Sequence, residues 1–128
     1  MDIRRIQSEV AQARMTFEIV EAHPTNDGGI FVNAGLATSV GYGYIAAIYF
    51  PNYPNQMPKV YITKPTLQGG TGHQYNDGTI CYLHPNMWNP GRHNLTFVLA
   101  HAAKWLNKYE VWRVNGHRWP GAQIKHTA

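Results

Sequence analysis

Apolar positions recur with a helical period near the two ends of the chain and with a two-residue period between them. Ile3, Ile6, Val10 and Ala13 repeat at spacings of three and four, which gathers them on one face of a helix over residues 2–14. Arg4, Arg5 and Glu9 fall off that face, on a side expected to meet solvent. Residues 16–21 then alternate as a half-buried strand does. His23-Pro24-Thr25-Asn26-Asp27-Gly28-Gly29 carries turn chemistry. A second strand is predicted over 30–38, weakened by Gly35, and a third over 42–50 with Tyr42, Tyr44, Ala46, Ile48 and Phe50 on one side. Pro51, Pro54 and Pro58 exclude both a helix and a central strand, so with Tyr53 they form a rigid loop. Residues 59–63 make a fourth strand, ended by Pro65, and 68–72 are a Gly-rich lead-in to the stretch that begins at His73. Short turns between such strands imply an antiparallel meander. Asn94 can cap a last helix. Leu95, Val98, Leu99, Ala102 and Leu106 mark its apolar stripe through about Tyr109, with His101, Lys104 and Lys108 on the flanks and Trp105 and Trp112 as bulk against the sheet. Residues 116–121 break the pattern. The expected fold class is α+β, in one domain over 1–128.

Composition narrows the class. Hydrophobic residues make up 44% and charged residues 14%, which excludes a disordered chain. A lone cysteine excludes an internal disulfide and fits a reducing compartment. No apolar run resembles a secretory signal or a membrane span, so a cytoplasmic protein without a membrane partner is expected. The net charge is +4, but the eleven Lys and Arg residues are scattered from Arg4 to Lys125 with no run of three. That balance suggests mild steering toward acidic partners and disfavours nucleic acid as the partner.

The candidate chemistry lies between His73 and Pro90, around Cys81. Asn76-Asp77-Gly78 is a turn signal directly before the thiol, and Trp88-Asn89-Pro90 is a bulky anchor with a helix-blocking end after it. His73, His84 and His93 lie within twelve residues of it. A thiol on a turn near imidazoles is a candidate nucleophile, although lone cysteines more often serve as small buried hydrophobes. A cysteine hydrolase would need a histidine in reach of Cys81 and an orienting Asp or Asn. A metal site on Cys81-x-x-His84 lacks a second close pair unless His117 and His126 fold back, so neither a metal nor a cofactor is expected.

Tyr49-Phe50-Pro51, Tyr53-Pro54 and Pro58-Lys59-Val60, then Asp77-Gly78-Thr79-Ile80-Cys81, then Trp88-Asn89-Pro90, resemble in order and spacing the ubiquitin-conjugating enzymes. The resemblance runs from the first helix to about residue 115. It implies that family's fold: an N-terminal helix, a four-stranded antiparallel meander, a catalytic-cysteine loop and a C-terminal helix. The eukaryotic members place His-Pro-Asn about ten residues before the cysteine. Here His73 lies eight before it, in His73-Gln74-Tyr75, while His84-Pro85-Asn86 comes after the cysteine and is a decoy. The shortness of the chain and its Trp119-Pro120-Gly121 end resemble the compact bacterial ubiquitin-conjugating-like proteins of anti-phage (CBASS-type) operons.

The resemblance implies an acyltransferase in which Cys81 accepts the activated C-terminus of a partner as a thioester and passes it to an acceptor. The partner would be a ubiquitin-like protein or a cyclic-nucleotide synthase, loaded with or without an activating enzyme. His73 would brace the loop. Asn76, then Tyr75, then Asn86 are the candidates for the oxyanion donor, and Asp77 either takes a proton from an incoming amine or simply forms the turn. Non-catalytic variants of the same fold that only hold partners are the alternative.

Overall fold

The computed structural model describes residues 1–121; His126 lies outside them. The first helix, α1, spans Ile3–Ala13, and Asp2 caps it by accepting from the Arg5 backbone N–H at 3.0 Å. It buries Ile6, Val10 and Ala13 as the period requires. It also buries Glu9, which the sequence places among the solvated positions. Three donors explain this. The Glu9 carboxylate accepts from the Tyr53 hydroxyl, from the Leu95 backbone N–H at 2.8 Å and from the Arg5 guanidinium. A buried charge is tolerated when it is paired and hydrogen-bonded in this way. Glu9 thereby joins the first helix, the proline loop and the start of the last helix.

Strands β1 (Val20–Pro24), β2 (Ile30–Ala37), β3 (Gly43–Tyr49) and β4 (Lys59–Lys64) form an antiparallel sheet in chain order. The register pairs Ala22 with Val32, Ala34 with Ala46 and Ile48 with Val60. Val32, Ala34, Leu36, Tyr44, Ala46, Ile48, Val60 and Ile62 form the buried face. Helix α2 (Leu95–Val114) packs against β2 and α1, and Asn94 caps it by accepting from the Phe97 N–H at 2.9 Å. Leu95, Leu99 and Leu106 of α2 are fully buried, each worth about 1.5–3 kcal/mol of transfer free energy.

Several boundaries differ from the sequence reading, and β1 runs on to Pro24, taking His23 and Pro24 out of the turn. The first strand begins at Val20, because the Thr16 and Phe17 N–H groups bond back to the Ala13 carbonyl at 3.0 and 2.9 Å and finish the helix. Ile19 then packs over Gly35, where a Cβ would sit 3.1 Å from the Ile19 side chain, so the glycine is a contact point and the strand continues through it. Tyr42 lies outside β3, exposed beside the Arg113 guanidinium. Helix α2 continues past Tyr109 to Val114, since Glu110 and Trp112 are buried and Glu110 accepts from the Tyr44 hydroxyl. Among the described residues no helix is long and apolar enough to cross a membrane.

Candidate active site

The cysteine stretch is pinned beside the edge strand β4. The Ile80 N–H donates to the Val60 carbonyl at 3.0 Å, and Gln74 pairs with Ile80 in an isolated antiparallel bridge. Between them the chain reverses tightly: Tyr75 N–H donates to the Thr79 carbonyl at 2.8 Å and Gly78 N–H to the Tyr75 carbonyl at 2.9 Å. Gly78 has φ +87°, and a Cβ there would meet the Tyr61 hydroxyl at 2.8 Å, so only glycine fits. Tyr61 is close because its hydroxyl donates to the Asp77 carbonyl.

Asp77 is occupied by the turn itself. Its carboxylate accepts from the Thr79 N–H at 3.0 Å and the Thr79 hydroxyl at 2.6 Å, and pairs with Lys59 at 2.9 Å. The Thr79 hydroxyl and then Lys59 hold its pKa down at about 2. Asn76 is exposed at the tip of the turn. Asn86 is also exposed, in the one-turn 3-10 helix Pro85–Met87 that His84 caps. His73 braces the stretch through its main chain. Its carbonyl accepts from the Cys81 N–H at 2.9 Å and from the Trp105 indole at 3.1 Å, and its own N–H donates to the Thr71 hydroxyl at 3.0 Å.

Cys81 is 4% exposed. Burial pushes the thiol up to about 11; the Tyr75 hydroxyl beside the sulfur opposes this rise, and the Asp77 charge adds to it. Tyr75 itself is half-buried, with its hydroxyl enclosed and without a hydrogen bond of normal geometry. Burial raises that phenol to about 12, so it carries its proton at neutral pH. A phenol and a carboxylate thus act on the thiol in opposite directions. Among the described residues no three His, Cys, Asp or Glu side chains converge on a point where a metal could bind.

The cysteine stretch divides two clefts. On one side a cleft of about 180 Å³ is lined by Cys81, His73, His84, His101, Lys104 and Lys108, with Trp105 and Trp119 in its wall. On the other a cleft of about 420 Å³ runs between the proline loop and the turn, with Met57, Tyr75, Tyr82 and Trp88 among its lining. Trp88 is anchored there, its indole donating to the Pro54 carbonyl at 2.8 Å. Trp119 stacks on the His73 imidazole at 4.3 Å and leans on Trp105 at 5.2 Å. The tail therefore packs on the core as far as Gly121, a point the sequence leaves open. Trp119, Lys104 and Lys108 are cleft residues that the sequence does not single out as functional. The four-residue spacing of the two lysines is the available signal, since it places both on one flank of a helix.

Comparison with known proteins is consistent with this architecture. The curated proteins yield no match. Among solved structures, one in "A complex of the Vps23 UEV with ubiquitin" superposes with a TM-score of 0.58 at 16% identity, over 80% of this chain and 81% of that one. At that identity the likeness shows the fold alone, a ubiquitin-conjugating-like α+β fold. The family model described as "Type II CBASS E2 protein" matches residues 9–127. With nearly the whole chain matched, and the helix–meander–cysteine loop–helix order in place, the chain belongs to the Type II CBASS E2 family.

Proposed function

We propose that the protein is a thioester carrier for the C-terminus of another protein, acting in anti-phage defence. The Cys81 sulfur attacks the carbonyl carbon of an activated C-terminus. The bond to the leaving group breaks, the leaving group departs with the electron pair, and the thiol proton passes to it or to water. An acceptor nucleophile then attacks the thioester and releases the Cys81 thiol. Thioester exchange starts from an activated acyl group, so the protein's task is to position the reactants and to stabilise one oxyanion.

The observation that carries this reading is the enclosed Tyr75 hydroxyl, which makes no hydrogen bond of normal geometry and lies beside the only thiol in the chain. At rest this donor faces only the sulfur, a weak acceptor, and an oxyanion forming on the carbon bonded to Sγ would be a stronger one. Tyr75 is therefore favoured over Asn76 and Asn86, which are exposed. His73 holds the loop, and Asp77, already engaged by Lys59 and Thr79, forms the turn. The carried protein is a ubiquitin-like protein or a cyclic-nucleotide synthase, delivered with or without an activating enzyme.

The burial and raised pKa of Cys81 favour a second reading, a module that holds a partner without acylation. Intact mass of wild type and Cys81→Ala, each co-expressed with its genomic neighbours and kept non-reducing, decides between them. The carrier predicts a thiol-labile adduct on wild type only. A neighbour that co-purifies equally with both forms, with no adduct, rejects the carrier in favour of the module.

A further inference from the structure

The cleft that opens on Cys81 has no acidic side chain in its lining, while Lys104 and Lys108 stand on one wall and His73, His84 and His101 complete the polar surface. The chain has seven acidic residues, and none is placed to neutralise these lysines. Asp2, Glu9, Glu18, Glu21 and Asp27 all precede β2. Asp77 faces the other cleft and is held by Lys59, and Glu110 accepts from Tyr44 and Arg113. Neither Lys104 nor Lys108 makes an ion pair among the described residues. Two ammonium groups one helical turn apart, with no ion pair among the described residues, make one wall of this cleft positive.

We propose that this cleft is a docking site for an acidic peptide, the C-terminal tail of the carried protein, with Lys104 and Lys108 reading carboxylate side chains that precede the acyl terminus. The assignment deepens the carrier reading and, for the identity of the tail, rests on it. Cys81 is part of the cleft lining, so a chain end bound there lies beside the thiol. Its remaining walls, Leu83, Met87 and Trp105, offer apolar contact to the side chains of an extended peptide. One face of Trp119 is already covered by the His73 ring, which removes that face as a platform for stacking a nucleobase. Charges at the rim of a site act mainly on encounter and selectivity, so the signature is a preference that salt erases.

The test uses the full-length chain and three probes. Two are fluorescein-labelled peptides of about ten residues ending in Gly-Gly, one with Asp and Glu at alternate positions and one with Asn and Gln in their place. The third is an oligo(U) decamer. Anisotropy is expected to show the acidic peptide binding about tenfold more tightly than the neutral one at about 50 mM NaCl, with the preference shrinking to about twofold at about 500 mM. Lys104→Glu/Lys108→Glu should abolish the preference. Arg4→Glu/Lys64→Glu, which removes the same net charge elsewhere, should keep it. Lys104→Ala/Lys108→Ala repeats the test without introducing repulsion, and circular dichroism checks each fold. Equal binding of the two peptides overturns the proposal. So does an equal loss in the control variant, or oligo(U) binding more tightly than the acidic peptide through the same lysines. A parallel reaction with both peptides as mercaptoethanesulfonate thioesters separates the two readings. In that exchange Cys81 takes the acyl group and mercaptoethanesulfonate leaves as the thiol. Loading by neither peptide removes the carrier while a salt-sensitive acidic preference leaves the docking site standing. Loading of both at one rate with no preference in binding does the reverse.

Discussion

Tyr75→Phe removes one oxygen atom and keeps the ring, so it isolates the hydroxyl proposed to meet the oxyanion. That hydroxyl has no well-formed hydrogen bond to lose in the resting protein. If Tyr75 only packs, the variant is neutral or more stable by up to about 1 kcal/mol, because a buried donor that meets only the weakly accepting sulfur has been deleted. If the hydroxyl serves the oxyanion, its loss costs about 2.7–4 kcal/mol of transition-state stabilisation, a drop of about 100- to 1,000-fold in the loading rate. A smaller effect has the same sign. The Tyr75 hydroxyl favours the thiolate, so Phe moves the thiol above about 11 and thins the reactive species further. Single-turnover loading of Cys81 from a peptide thioester, followed by intact mass as a function of pH, separates the two contributions. A changed pKa slides the rate profile along the pH axis, whereas a lost oxyanion donor lowers its limiting value. Urea unfolding of both forms checks that the substitution has not weakened the fold. A variant that loads within about twofold of wild type, with an unmoved pH profile, refutes the role.

Glu9→Ala strips a buried acceptor from Tyr53, Leu95 and Arg5 together, and is expected to cost about 3 kcal/mol, read as a lower urea midpoint; Glu9→Gln, which keeps an oxygen, should lose less. The rate of Cys81 alkylation by iodoacetamide should keep rising through pH 10 toward about 11, and should not level off near the ordinary value of 9. A pKa raised by folding gives stability that is complete below about pH 9 and lost between about 9 and 11, so unfolding midpoints should fall more steeply across that window in wild type than in Cys81→Ala, where only the tyrosines with raised pKa values contribute. Trp119→Ala removes the ring that covers His73 and walls the cleft, and should speed that alkylation several-fold while circular dichroism stays unchanged.

The elements are legible in the sequence because their periods are clean. The α1 stripe, the Asn94 cap and the four-strand order all come from spacing and turn chemistry that act over a few residues. The hidden features depend on distant partners. Glu9 reads as a surface residue until Tyr53 and Leu95, far along the chain, bring their donors to it. The start of β1 is misleading because Phe17 and Ile19 look like strand positions, while the backbone of residues 16 and 17 is still committed to the helix end. Around the thiol, Asn76-Asp77-Gly78 announces the turn, and the fold shows why the glycine is obligatory: Tyr61 occupies the space of a side chain. Nothing local ranks Tyr75 above Asn76. That ranking comes from which side of the turn faces the core, and so from how Ile80 bonds to β4. The basic character of the cleft is similarly diluted in a chain-wide charge of +4 and emerges only when α2 sets Lys104 and Lys108 in the same cleft as Cys81.

The raised thiol pKa is an argument about selectivity. Moving from 9 to about 11 leaves about a hundredfold fewer thiolates at neutral pH. Each remaining thiolate is about tenfold more nucleophilic, given the usual dependence of thiolate reactivity on basicity. The net result is a sulfur slowed about tenfold toward every electrophile and oxidant in free solution. A donor whose tail is held in the cleft meets the same sulfur at an effective concentration that can exceed about 10⁵ M, which outweighs the tenfold loss many times over. Under the proposed carrier chemistry, low intrinsic reactivity combined with the proposed docking cleft would make acylation depend on which chain is bound. A more acidic thiol would accelerate the docked and undocked reactions alike and give up that distinction. Burial of Cys81 thus sets its low reactivity at rest, and under the carrier reading the cleft it lines is where a docked chain end would meet the sulfur.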